Sequence, residues 1–179
     1  MKIKLSVLIF VLVILIMSGC SRSIPAVITP LTDDEVKSYI VDNKIKEVVR
    51  EKIGDLTVVL YKDDMAFGYH MLYKDKDGVI QDQMANASYL DGNLPPVFTS
   101  GVATGSNPFI AVYINDEELI KSASTIEVVL NDGSSVRKKL EGKGVIIPYS
   151  RESEKGVKRN SSHIVIYDEK ESIIFSSGK

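Results

Sequence analysis

The sequence predicts a mainly β protein, an antiparallel β-sandwich of immunoglobulin-like type preceded by a helical segment. Three observations carry that prediction. From Asp55 onward, about eight short runs rich in Val, Ile, Tyr and Phe recur at regular spacing. Turn chemistry separates them, with Asp77-Gly78 and Asn131-Asp132-Gly133 the clearest hairpin signals. The succession of hairpins leaves no strand–helix–strand alternation, which argues against a parallel nucleotide-binding sheet. No internal repeat is apparent.

The helical segment spans residues 32–54. Thr32-Asp33-Asp34-Glu35 has the form of a capping box, in which Thr32 and Glu35 each satisfy the other's backbone N–H. Asp33 and Asp34 complement the helix dipole there. Val36, Tyr39 and Ile40 share one helical face, whereas Val41, Ile45, Val48 and Val49 share a nearly opposite one. One straight helix would not bury both stripes. The pattern predicts a helix over residues 33–52 with a break near Asp42-Asn43 and a stop at Gly54. A strand over 45–50 is the competing reading.

The β domain occupies residues 55–179. Leu56–Tyr61 is β-branched and aromatic. Ala66–Tyr73 alternates, with Phe67, Tyr69, Met71 and Tyr73 on one face and Gly68, His70 and Leu72 on the other. A strand follows from Val79, and Phe109–Ile114 forms another. Asp116–Ser122 suits a short helical turn. Thr125–Leu130 and Ser134–Leu140 flank the Asn-Asp-Gly hairpin, and Gly144–Tyr149, His163–Tyr167 and Ser172–Phe175 complete the count.

Composition narrows the function classes. The 179 residues carry 22 Lys and Arg against 24 Asp and Glu, a formal net charge of -2. A mildly acidic domain is a poor fit for nucleic acid, whose affinity depends on clustered basic residues. The single cysteine, Cys20, excludes an internal disulfide and any Cys-based cluster. The only histidines are His70 and His163.

The N-terminus, MKIKLSVLIFVLVILIMSGC, specifies an address. Lys2 and Lys4 precede an apolar run from Leu5 to Met17, ~13 residues against the ~20 a membrane-spanning helix needs. A basic start, a short apolar centre and small residues at the end describe a secretory signal peptide, residues 1–19. Met17-Ser18-Gly19-Cys20 resembles the lipobox of bacterial lipoproteins, with methionine where leucine is more usual. The resemblance implies cleavage between Gly19 and Cys20 and a diacylglyceryl group on Cys20. An ordinary signal peptide ending beside a cysteine is the alternative. Residues 20–31, with Pro25 and Pro30, then read as a lipidated tether. Its last 11 residues would span ~18 Å as a coil. The protein would sit at the extracytoplasmic face of the cell membrane. Beyond Cys20, the strand ending near Asp116, Asn131-Asp132-Gly133, Val145-Ile146-Ile147-Pro148 and the closing Val165-Ile166-Tyr167-Asp168 are similar to a β-sandwich domain of small Firmicute lipoproteins of unknown function. That likeness carries no activity across.

Catalytic signatures are absent from the sequence. Asp75-Lys76-Asp77-Gly78 lacks the ligand spacing of a calcium loop and reads as a hairpin turn. His70 and His163 have no metal or nucleophile partner at a recognisable spacing, and both suit strand faces. Ser100–Pro108 is glycine-rich but has no phosphate-loop lysine. No catalytic residue, metal or cofactor is assigned. The stretch from Met84 to Pro108 carries one formal charge, Asp91. It is read either as a binding loop, with Tyr89, Asp91, Phe98 and Asn107 as candidates, or as irregular edge strands over 88–90 and 96–99. Ser150–Ser162 is locally basic. It suits contact with anionic wall polymer or lipid headgroups, or a solvated hairpin tip.

The expectation is a membrane-anchored lipoprotein acting as a non-enzymatic binding or interaction module. Its partners would be membrane lipid, through Cys20, and an envelope protein or wall polymer. The alternative is a cell-envelope hydrolase whose site, built from carboxylates or His70, is assembled only on folding.

Overall fold

The computed structural model describes residues 28–64, 66–88, 94–103, 105–152, 156 and 158–177. Over these the chain is antiparallel β with two short helices, in the class the sequence predicts.

The capping box forms as expected: the Glu35 N–H donates to Thr32 Oγ1 (3.3 Å) and the Thr32 N–H to Glu35 Oε2 (2.8 Å). It starts helix α1, Asp33–Asp42. The helix stops well before residue 52. Asn43 closes it by donating from its side chain to the Tyr39 carbonyl (2.9 Å), and Lys44 turns the chain at a φ of 54°. The second half of the expected helical segment is instead strand β1, Glu47–Ile53. The second stripe is thereby broken up: Val41 stays on the helix, 73% exposed, Ile45 falls in the turn, and only Val48 and Val49 enter the strand. The β-branched pair Val48-Val49 goes to the strand, where branching at Cβ is favourable.

β1 opens a four-stranded meander with β2 (Leu56–Lys62), β3 (Ala66–Lys74) and β4 (Ile80–Ser88). A central sheet has β6 (Phe109–Ile114) between β5 (Val97–Val102) and β9 (Gly144–Pro148). Helix α2, Glu117–Ser122, leads out of β6. The third sheet has the order β11-β10-β7-β8, built from β7 (Thr125–Leu130), β8 (Ser135–Lys139), β10 (Ser161–Tyr167) and β11 (Ile173–Ser176).

The sandwich has three layers, and strand alternation shows why. Phe109, Ala111 and Tyr113 of β6 pack with Val58, Leu60, Phe67 and Tyr69 of the first sheet. Ile110, Val112 and Ile114 pack with Ile126, Val128, Ile164 and Ile166 of the third. A strand buried on both faces needs a continuous apolar run, and Phe-Ile-Ala-Val-Tyr-Ile supplies one. Each such side chain contributes ~1.5–3 kcal/mol on leaving water, so the central sheet organises both cores.

Lys138 ties the layers at one edge. From β8 its Nζ donates to the Ile146 carbonyl on β9 (3.1 Å) and pairs with Glu51 on β1 (2.7 Å). An unpaired edge carbonyl is thus capped by a cation rather than left to pair with another chain.

The first sheet is covered on its outward face by α1, but only in part. Val36 and Ile40 of the helix, with Leu31 before it, pack onto Val59 and Leu72. Lys74 Nζ donates to both Glu35 carboxylate oxygens at 3.1 and 3.0 Å, which fixes the helix to β3. Thr29 and Leu31, expected in the tether, belong instead to the folded domain: Thr29 bridges to Lys74, and Leu31 is buried in this small core. The rest of that sheet face, over the far ends of β2, β3 and β4, is left uncovered by the helix.

Candidate ligand-binding cleft

The uncovered face forms a cleft of about 630 Å³, lined by the Asn43–Lys46 turn on one side and by Tyr61, Asp63, Ala66, His70, Asp82, Met84 and Asn86. Register explains this grouping. His70 stands opposite Met84, and Leu72 opposite Asp82, so all four side chains share one sheet face. Helix α1 takes Leu72 into its core and leaves the others lining the cleft.

A polar network centred on the buried His70 forms the floor. His70 Nδ1 lies 2.7 Å from Asp82 Oδ2, and the Tyr39 hydroxyl donates to the same oxygen at 3.1 Å. A carboxylate only accepts, so Nδ1 carries a proton and, in the neutral ring, Nε2 keeps the lone pair. Burial, then the charge of Asp82 and the hydrogen bond to it, hold the Tyr39 phenol above its ordinary pKa. Beside the network is an apolar wall. The Tyr61 ring packs on the imidazole at 4.9 Å between centroids, and its hydroxyl contacts Met84 Sδ at 3.7 Å. Met84 is 57% exposed, an unusual position for a large apolar side chain on a sheet floor.

Gly68 keeps the floor low at one end. A Cβ there would sit 2.3 Å from the Ala85 carbonyl oxygen, so β3 and β4 approach at a separation only glycine permits. Lys44 and Lys46 give the rim its positive charge, with Lys46 paired to Asp64 at 3.2 Å.

The described candidates drawn from the sequence, Phe98 and Asn107, lie elsewhere. Gly19, Cys20, Tyr89 and Asp91 are outside the described residues. Phe98 is 2% exposed, with its ring 5.3 Å from Phe67 and 6.1 Å from Tyr113, and belongs to the first core. Asn107 is half-buried against Gly54. Much of the 84–108 stretch is strand, since β4 runs to Ser88 and β5 begins at Val97. Phe98 and Asn107 are not among the cleft's lining residues.

Other expectations are also placed. Asp75 accepts from the N–H groups of Asp77 (2.9 Å) and Val79 (3.0 Å), so its carboxylate serves the hairpin turn. Those bonds, led by the one from Val79, hold it below the usual carboxylate pKa. Among the described residues no three His, Cys, Asp or Glu converge as a metal site would require. The 150–162 loop is docked rather than free at its far end: Arg159 Nε donates to Asp132 at 2.7 Å, and Asn131 bonds Lys158 and Asn160. Hydrogen bonds from Ser134 and then Arg159 lower the Asp132 carboxyl from 3.8 to about 2. Among the described residues, no helix is long and apolar enough to cross a membrane.

The His70–Asp82 pair was absent from the sequence reading, although a signal for it existed. Taking Asp75–Gly78 as a hairpin turn fixes the register of the two flanking strands. That register alone puts positions 70, 72, 82 and 84 on one face. No family model, no curated protein and no solved structure matches this chain.

Proposed function

We propose that this protein is an extracytoplasmic lipoprotein, anchored by lipid on Cys20, that acts as a binding module and takes its ligand in the cleft over β2, β3 and β4. The observation that carries the reading is the composition of that cleft. An apolar wall, Tyr61 and exposed Met84, stands beside convergent hydrogen-bonding groups, Asn43, Asn86 and His70, in a volume of about 630 Å³. That size and mixture suit a small organic ligand or one side chain of a protein partner. The floor is pre-organised, because Asp82 fixes the imidazole and Tyr39 fixes Asp82. Among the described residues the lining includes no Ser, Thr or Cys, so a hydroxyl or thiol nucleophile of the serine- or cysteine-hydrolase kind does not face His70 there.

A second reading rests on the same pair. An aspartate on Nδ1 orients a histidine to act as a base through Nε2, and a water in the cleft would be the attacking group of a hydrolase. One experiment separates the two. A photo-crosslinking residue replaces Met84 in living cells, with Cys20→Ala as control. The binding reading predicts a discrete adduct that is lost with the anchor and weakened by His70→Leu. No adduct, together with envelope-polymer turnover by the purified protein that His70→Gln abolishes, would overturn it in favour of the hydrolase.

A further inference from the structure

We infer a second, anion-binding cleft, built by Lys46, Lys62 and Lys143 over Tyr113, whose ligand is a phosphate ester of a small alcohol. It shares Lys46 with the rim of the His70 cleft but requires no occupant there. The cavity measures about 310 Å³ and is lined by Lys46, Glu47, Val48, Lys62, Tyr113 and Lys143. Its three lysines come from three places in the chain: the turn before β1, the last residue of β2 and the turn before β9. Folding alone brings them together, at the end where the first and central sheets meet.

The charge of this cleft is not neutralised from within. Its one carboxylate, Glu47, is already held by Arg50 Nε at 2.7 Å. Lys62 donates to the Asp63 backbone carbonyl, a neutral acceptor. Lys46 pairs with Asp64 at 3.2 Å and Lys143 with Glu117 at 4.0 Å, but those carboxylates are 93% and 79% exposed. Pairs so open to water are weak and yield readily to a better-placed anion. Three lysines lining one cleft on a chain of formal net charge -2 are therefore a local feature rather than a reflection of overall basicity.

The ligand class follows from the donors. Lysine is a compact point charge with three rotatable N–H groups, suited to a tetrahedral oxyanion with several acceptor oxygens. Val48 and the edge of Tyr113 supply apolar surface for a carbon-bearing alcohol rather than bare phosphate. Two sources present this chemistry, the phosphate of a glycerophospholipid headgroup and that of a soluble or polymeric phosphate ester.

The test uses the full chain in neutral detergent, with backbone amide NMR as readout and sn-glycerol 3-phosphate as probe. The inference predicts saturable shifts confined to residues 46–48, 62, 113 and 143, with affinity reduced about threefold between 50 and 200 mM salt by screening. Lys62→Gln with Lys143→Gln should weaken binding about tenfold at unchanged melting temperature, as expected for losing two of three charges. Unsaturable shifts, shifts shared with remote Lys76, Lys121 and Lys139, or unaltered affinity in the double variant would overturn it. Nanodiscs of phosphatidylglycerol and of phosphatidylcholine then separate the sources. Shifts at the same residues on changing the lipid identify a headgroup, whereas shifts only with the soluble ester identify a free or polymeric phosphate.

Discussion

The two outer sheets each hold a sheltered carboxylate on their outward face, and they surround it differently. On the third sheet Glu127 accepts from the Tyr167 hydroxyl and from Arg137 at 3.1 Å, while the guanidinium lies 4.3 Å above the Tyr167 ring and also reaches Glu171 at 2.8 Å. Burial alone would raise the Glu127 carboxyl; hydrogen bonds from Ser135, Tyr167 and Arg137 outweigh it and hold the group below its ordinary range. On the first sheet Asp82 is framed by His70 and Tyr39, and His70 itself lines a cleft. The Glu127 carboxylate is taken up by Ser135, Tyr167 and Arg137, with Arg137 itself open to solvent at 46% exposure, whereas the Asp82 cluster turns one ring toward a cavity. A carboxylate whose donors all come from the protein holds a fold together. Polar burial that stops one group short leaves a place for something else.

That contrast can be broken most severely from underneath. Gly68→Ala would force a Cβ against the Ala85 carbonyl oxygen and separate β3 from β4 below the cleft. We expect a loss of about 3 kcal/mol or more in urea unfolding, at the upper end for overpacking. Next comes Glu127→Leu, which leaves the Tyr167 hydroxyl without its acceptor and the Arg137 guanidinium with Glu171 alone. Its expected cost is about 2–3 kcal/mol. His70→Leu should cost less, about 1 kcal/mol, because Asp82 keeps Tyr39 and is still reached by water. Equal costs for the two variants would remove the distinction between a closed and an open cluster.

A pH profile sharpens the comparison. Glu35, Asp75, Glu127 and Asp132 all have lowered carboxyl pKa values in the folded state. Their stabilisation is full above the ordinary values of 3.8 to 4.5 and is lost as pH falls through the lowered ones. Tyr39, Tyr69, Tyr149 and Tyr167 have raised pKa values. Their contribution is present below the ordinary value of 10.0 and is lost as pH rises through the raised ones. Thermal unfolding should therefore show a plateau between those limits. Glu127→Gln should flatten the acid limb, and a variant with an unchanged acid limb would contradict the role given to that carboxylate. The smallest expected effect is at the edge: Lys138→Met, which opens the tie to Glu51 and Ile146, should cost under about 1 kcal/mol.

The legible part of the fold was what local chemistry decides. Thr32 and Glu35 announced the helix start, and Asn131-Asp132-Gly133 announced a hairpin, because caps and turns are set by neighbours in sequence. The end of the helix was harder. Val48 and Val49 can serve either a helical stripe or a strand, and the choice depends on Leu60 and the central sheet lying in front of them. The number of layers was not visible either. Phe109–Ile114 declared burial on both faces, but the sequence does not say which sheets cover it. The cleft combines both problems. His70, Asp82 and Met84 share a face through register, which the Asp-Gly turn made readable. That α1 covers Leu72 and leaves His70 uncovered depends on where the helix happens to stop, and Lys44 at positive φ fixes that only in three dimensions.

The most direct test of an open cluster against a closed one is methyl NMR of the [13C-methyl]methionine-labelled full chain during a small-fragment screen. Met84 lines the cleft at 57% exposure, and Met71 lies in the first core at 9%. Met84 should shift saturably with a subset of fragments while Met71 stays still, and His70→Leu should abolish those shifts. A Met84 signal indifferent to every fragment, or moved equally with and without His70, would mean that the cleft is a surface feature and not a site.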